Sequence, residues 1–204
     1  QDVCNRLIQQ LSEKVDDLCV VSGLAYGVDA ACHRAALVYG VNTVAVIAST
    51  LPSVTPSTHS ALANDIVERG GAIVSELHSQ SPQNGALFLA RNRIIAGLSA
   101  GTVVVESPAS GGSLATADMA DGYHRVVMAV PGRITDGSSF GTNNLIRSGK
   151  ARLVLKATDI IDDIGWQIAT PHDDKQAVNS VDIDLLQPAE RLVYSIVAKR
   201  TTIS

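Results

Sequence analysis

The chain has 204 residues, 46% of them hydrophobic and only 3% aromatic, with a formal net charge of −4 at pH 7. That length suits one ordinary domain, or one with a fragment attached, and a core so poor in aromatics must be built from Val, Ile, Leu and Ala. The acidic balance excludes a protein that coats nucleic acid through general basicity, but it leaves room for a local cleft: Arg91, Arg93, Arg125, Arg133, Arg147, Lys150 and Arg152 fall in one stretch. No signal peptide or membrane-length apolar run is visible. Cys4, Cys19 and Cys32 are odd in number and lack metal spacing, which predicts small buried hydrophobes in a reducing cytosol.

Val3, Leu7, Leu11 and Val15 recur at helical spacing and predict an amphipathic helix over 2–15. Leu18 to Val21 reads as a short apolar strand ending at Ser22-Gly23, and Val28 to Tyr39 as an alanine-rich helix stopped by Gly40. Thr43 to Ala48 is a second strand. The Pro/Ser/Thr-rich loop 49–58 follows, then a helix over His59 to Arg69 and a strand over Ala72 to Ser75. After a polar loop, Arg91-Asn92-Arg93 forms a paired-arginine turn ahead of a helical run at Ile94 to Leu98. Thr102 to Val105 is a strand, and the small-residue loop Ser110-Gly111-Gly112-Ser113 opens a helix to about Gly122. Arg125 to Val130 is a strand ended by Pro131-Gly132. Thr142 or Asn143 caps a short helix through Arg147, Arg152 to Leu155 is a last strand, and Asp159 to Ile164 a last helical turn.

Strand and helix therefore alternate at least five times, with β-branched, apolar strands. The pattern predicts an α/β fold: a Rossmann-like, mostly parallel sheet with helices on both faces and right-handed crossovers. Residues 1–166 form this domain, 167–184 a polar linker, and 185–204 the start of a further element, cut short. Ligands of such sheets bind outside the carboxyl ends of the strands. Ser22-Gly23, Ser49, Glu76, Glu106 to Ser113 and Pro131-Gly132 all lie at those ends and should meet on one rim.

A strand, a Gly/Ser loop and a helix make an anion site, because backbone N–H groups and the positive end of the helix dipole converge there. Ser110 to Ser113 fits that description, and Arg91 and Arg93 would add charge-assisted contacts to a phosphate. The alternative for the two arginines is a solvated pair, or pairing with Glu76 and Glu106. Ser22-Gly23-Leu24-Ala25-Tyr26-Gly27 is a second strand-to-helix turn, whose glycines would otherwise serve only tight turns. Neither G-x-G-x-x-G nor a Walker lysine motif is present, which argues against a nicotinamide cofactor and P-loop hydrolysis. Ser113 lacks the nucleophile-elbow pattern and a positioned base, and no His/Cys/Asp group has metal spacing, so neither catalytic residues, a cofactor nor a metal is expected. Tyr26, Phe88 and Phe140 sit in predicted rim loops, where they would either stack on bases or plug the core edge.

Six segments, SGLAYGVDAACHRAAL, GGAIVSE, RNRIIAGLS, VVVESPASGGSLATA, AVPG and GTNNLIRSGK, occur in this order. Together they resemble the Rossmann-like domain of the DprA/Smf (DNA processing) family over roughly residues 18–165. The resemblance implies a cytoplasmic bacterial protein, not an enzyme, that binds single-stranded DNA in natural transformation. Such a protein protects incoming strands, helps load the RecA recombinase and works as a homodimer. It implies that Leu185 to Ser204 begins a winged-helix domain and that the family's glycine-rich first strand is missing before Gln1.

Carried over by motif, the resemblance sets DNA phosphates against Gly111, Gly112, Ser113 and Thr116. It places Arg91, Asn92 and Arg93 on the same rim and Gly141, Thr142 and Asn143 opposite. Ser22, Gly23 and Tyr26 join them from the first turn. Tyr26 stands where the family commonly has a basic residue, and loop 49–58 lacks the family's usual glycine and tyrosine. The rival reading is a nucleotide sensor or a phosphoribohydrolase-like enzyme on the same scaffold. The PGGxGT-type loop of such enzymes is not matched, since Pro131-Gly132 and Gly141-Thr142 are far apart.

Overall fold

The computed structural model describes residues 2–78 and 84–166, so the expected linker at 167–184 and the winged-helix start at 185–204 lie outside the described residues. Among the described residues, six parallel strands are interleaved with seven α-helices. In chain order these are α1 (Asp2–Ser12), β1 (Cys19–Ser22), α2 (Val28–Val38), β2 (Asn42–Val46), α3 (Ser60–Glu68), β3 (Ala72–Val74), α4 (Ala86–Leu98), β4 (Gly101–Val104), α5 (Gly112–Gly122), β5 (Val126–Ala129), α6 (Phe140–Arg147), β6 (Arg152–Leu153) and α7 (Ala157–Ile164). The α/β class is as expected. The strands form two three-stranded parallel sheets, β1-β2-β3 and β4-β5-β6, with no ladder joining β1 to β4 among the described residues.

What joins the halves is helix packing. On α1, Ile8 packs with Ala35, Ala36 and Val41 of the first half, while Leu7 and Leu11 pack with Met128, Val154, Ile160 and Ile161 of the second. On α4, Ala96 packs into the second half beside Val104, Ala117, Val127 and Leu145, and its Arg91 reaches into the first. Alanines at these contacts let helices approach closely, which offsets the shortage of large aromatic side chains.

Four local expectations change. Arg91-Asn92-Arg93 is not a turn but the middle of α4, which runs unbroken from Ala86 because Ala, Leu and Arg all favour helix and no breaker stands before Gly97. Thr142 and Asn143 are not caps: α6 begins at Phe140, and Ser139 takes the cap position. Gly141 is thus inside the helix, where a Cβ would meet the Pro108 carbonyl oxygen at 2.5 Å; glycine is needed for close approach, not for a stop. The last strand is only Arg152–Leu153 and is exposed. Cys19, expected to be buried, is exposed, whereas Cys4 is buried.

One polar strut sits inside the first half. His33 is fully buried; its Nδ1 lies 2.7 Å from Thr43 Oγ1, which donates to the Val20 carbonyl at 2.8 Å. The hydroxyl proton is therefore spent on Val20, and His33 Nδ1 must be the donor to Thr43. Burial pulls the His33 pKa down to about 4, with the nearby Asp29 carboxylate opposing the shift. The unfolded chain takes up this proton near pH 6.5 and the folded chain only near pH 4, so the contribution is intact above pH 6.5 and lost as pH falls to 4. Urea denaturation at pH 7 and pH 4 should show a loss of roughly 3 kcal/mol from this group, and the His33→Leu variant should lack that component of the pH dependence.

Candidate nucleic-acid interface

The C-terminal ends of the strands form the rim, as the order of elements dictates, and α4 holds much of it in place. Arg91 is 4% exposed and points inward: its Nη1 donates to the Gly23 carbonyl at 2.7 Å and also to the Val46 carbonyl, tying together the ends of β1 and β2. Its Nε donates to Asn92 Oδ1 at 3.2 Å. Burial lowers the Arg91 pKa, and the Asp29 carboxylate offsets part of that. The guanidinium occupies the space a side chain at residue 23 would need, since a Cβ on Gly23 would lie 2.5 Å from Nη1. Gly23 is therefore there for Arg91.

Asn92 turns the other way and donates to the Gly112 carbonyl at 3.4 Å. Arg93, half exposed, is ion-paired with Glu76 at the end of β3. Of the two carboxylate pairings open from the sequence, Arg93–Glu76 is formed; Arg91 takes carbonyls instead. Three successive residues of α4 thus reach the ends of β1, β2 and β3 and the start of α5.

The loop after β4 is shaped by backbone contacts. Ser107 is buried, and its carbonyl accepts from the Gly141 N–H at 2.8 Å. A Cβ on Gly111 would collide with Ser107 Oγ at 2.2 Å, whereas one on Gly112 would meet nothing within 4 Å. Gly112 thus opens α5 on the surface. No side chain caps that helix end, which leaves backbone N–H donors of its first turn available to an anion. Ser113 is in that turn and Thr116 one turn further on, both partly buried.

Across from it, Asn143 is used on protein: Oδ1 accepts from the Gly132 N–H at 3.1 Å and Nδ2 donates to the Gly132 carbonyl at 3.0 Å. Thr142 is buried and donates to the Ser139 carbonyl at 3.1 Å. Gly141, Thr142 and Asn143 build the wall rather than face outward.

The first turn presents an aromatic. Leu24 and Gly27 have positive φ of 63° and 85°, and Leu24 is buried while Tyr26 is 69% exposed. Tyr26 is nonetheless fixed: its hydroxyl is 2.8 Å from Thr58 Oγ1, and its ring meets His59 edge-on with centroids 4.9 Å apart. His59 is itself buried, with Nδ1 2.8 Å from the Leu24 carbonyl. Ser22, at the end of β1, is partly buried. Phe88 and Phe140 are 39% and 45% exposed, on α4 and at the start of α6 rather than in loops. Thr58 and His59 had no signal in the sequence, because their partners are about thirty residues away.

Parallel strands alternating with helices, with glycine-rich turns gathered at the strand ends, define a Rossmann-like α/β class of domain. Among the described residues no group of His, Cys, Asp and Glu is arranged to hold a metal ion, and no helix is long and apolar enough to cross a membrane. Comparison with known proteins narrows the class. The family model for DNA recombination-mediator protein A matches residues 1–165, and the chain belongs to that family. It is 39% identical over 184 residues to a putative DNA processing protein DprA of Mycobacterium tuberculosis, covering 90% of this chain and 46% of that protein. It is 40% identical over 146 residues to the DNA processing protein DprA of Streptococcus pneumoniae, covering 72% of this chain and 51% of that one. The chain thus spans about half the length of these curated relatives. The X-ray structure of the S. pneumoniae protein superposes with a TM-score of 0.72 at 37% identity, covering 79% of this chain and 56% of that one. A Helicobacter pylori DNA processing protein A, whose structure concerns its single-stranded DNA binding mode, gives 0.69 at 26% identity, covering 79% and 71%.

Arg91 and Arg93 should separate cleanly in stability. Arg91→Ala strips two buried carbonyls of a charged donor and should cost roughly 2–4 kcal/mol. Arg93→Ala breaks an exposed pair and should cost under about 1 kcal/mol. Guanidinium denaturation of both variants beside the unaltered chain checks this; equal losses would contradict the assignment.

Proposed function

We propose that this chain carries the single-strand DNA-binding unit of a DNA-processing protein of natural transformation. The observation that carries the reading is the rim itself: uncapped N–H donors of α5, the half-exposed Arg93 and the fixed Tyr26 belong to one array whose loops are tied together through α4. Phosphates would take the N–H groups of Gly112 and Ser113 and the Arg93 guanidinium, and an unstacked base would lie against Tyr26. Ser22, Gly23, Arg91, Asn92, Gly111, Thr116, Gly141, Thr142 and Asn143 would shape that surface. Several of them serve it indirectly, by placing the neighbours they bond.

Membership of the recombination-mediator family, and the single-strand binding described for the H. pylori relative, support the same ligand. Protection of incoming strands, transfer to a RecA recombinase, a homodimer and a cytoplasmic setting belong to this proposal as its wider role. The unit binds and does no chemistry. Two grooves on one strand would raise avidity beyond a single short site.

In the bound state Glu76 competes with phosphate for Arg93. Fluorescence anisotropy of a labelled poly-dT oligonucleotide, titrated at several salt concentrations, should show salt-sensitive binding that AMP does not displace. Arg93→Ala should flatten the log–log salt dependence by roughly 0.7, the value of one single-strand phosphate contact. Glu76→Gln should tighten binding several-fold. Absence of binding at low salt, or ready displacement by AMP, would refute the reading in favour of a mononucleotide pocket.

A further inference from the structure

The first two helices bring two cysteines together, and the family's DNA chemistry has no use for them. Helices α1 and α2 pack in parallel, and their contacts set the register. Tyr39 Oη donates to Gln9 Oε1 at 3.5 Å, and Ile8 packs against Ala35 and Ala36, with Cys32 beside the same cluster. One turn earlier on α1 stands Cys4, on the buried face it shares with Ile8; one turn earlier on α2 stands Cys32. The register therefore sets Cys4 and Cys32 on facing turns of the two helices. Both cysteines are free, Cys4 buried and Cys32 partly exposed.

The geometry points to Cys4 and Cys32 as a thiol–disulfide modification site, oxidised by a small peroxide, that cross-links α1 to α2. The chemistry of the pair is asymmetric in the way such a reaction needs. The neighbouring Cys32 thiol lowers the Cys4 pKa from the ordinary thiol value, against the opposing effect of burial, which favours Cys4 as the attacking sulfur. The same neighbour, together with burial, pushes Cys32 up and keeps its proton in place. Cys4 thiolate attacks one peroxide oxygen: an S–O bond forms, the O–O bond breaks, and hydroxide leaves. The Cys32 sulfur then attacks Cys4: the S–S bond forms, the S–O bond breaks, and the departing oxygen leaves as water with the Cys32 proton. Overall two thiols are oxidised and one peroxide is reduced to two waters. The oxidant must be small, because Cys4 is 2% exposed.

The consequence is mechanical. Helix α1 packs on both halves of the fold, and α2 carries the turn that presents Tyr26. A bond between them fixes the first rim turn to the helix that spans the halves. It also closes a loop of the unfolded chain, which stabilises the folded form when the native geometry accepts the bridge.

The test uses the whole chain with Cys19→Ser, which removes the exposed third thiol. After hydrogen peroxide, intact mass should fall by about 2 Da, the loss of two hydrogens that marks a disulfide. Peptide mapping should find Cys4 joined to Cys32, and dithiothreitol should restore the original mass. The oxidised chain should melt several degrees higher. With Cys32→Ser added, peroxide should add one oxygen, about 16 Da, to Cys4 and give no 2 Da loss. Addition of oxygen without the 2 Da loss, or alkylation of both thiols by iodoacetamide after peroxide, would overturn the inference. So would a bridge that lowers the melting temperature, since the packed helices would then not present the thiols ready to join. None of these readouts depends on DNA, so the inference stands or falls apart from the proposed function.

Discussion

The buried guanidinium of Arg91 is the contact on which the rim depends. A cation taken out of water must find strong acceptors, and here it finds the carbonyls that end β1 and β2. That requirement explains several neighbours at once. Gly23 has no side chain because the guanidinium fills its place. Helix α4 must lie across the ends of the first sheet while its Ala96 packs into the second. Once α4 is fixed in this way, Asn92 and Arg93 are delivered to Gly112 and Glu76 with little further choice.

The rest of the rim follows the same economy: backbone meets backbone at glycines, and polar side chains are spent holding loops. Gly111 and Gly141 allow the β4–α5 loop and the start of α6 to touch, and Asn143 clamps Gly132 with both ends of its amide. Among the described residues, what the rim offers a ligand includes the N–H groups of one helix start, the exposed side of the Glu76-paired Arg93 and the exposed Tyr26. On the proposed reading, such a surface would recognise what all single strands share, phosphates and base planes, and would give little basis for telling one sequence from another. The exposed ring of Tyr26 is a flat plane held in place by Thr58 and His59.

Much of this was legible beforehand, and the exceptions have physical causes. The alternation of apolar strands and helices is a local pattern, so nearly every element could be placed from it. Helix starts were the weak point. Arg91 to Arg93 read as a turn ahead of a helix, yet Arg is a good helix former and one of the two points into the core. Gly141 fell before the expected cap at Thr142 or Asn143, yet it lies inside α6 and makes room for the Pro108 carbonyl. Thr142 and Asn143 were candidate ligands by motif, and their hydrogen bonds now show them holding Ser139 and Gly132.

By itself the sequence determined the α/β class, the strand ends that form the rim, and the glycine and arginine residues from which it is built. These rest on periodicity and on residue chemistry, which are properties of short stretches of chain. Only the tertiary structure decided which arginine is buried and which faces solvent, that Glu76 is the partner of Arg93, that Tyr26 is fixed by His59, and that His33 bonds Thr43. Each of those is a contact between residues on separate segments of the chain. No local propensity reports such a contact, because it comes into being only when helices and sheets have packed.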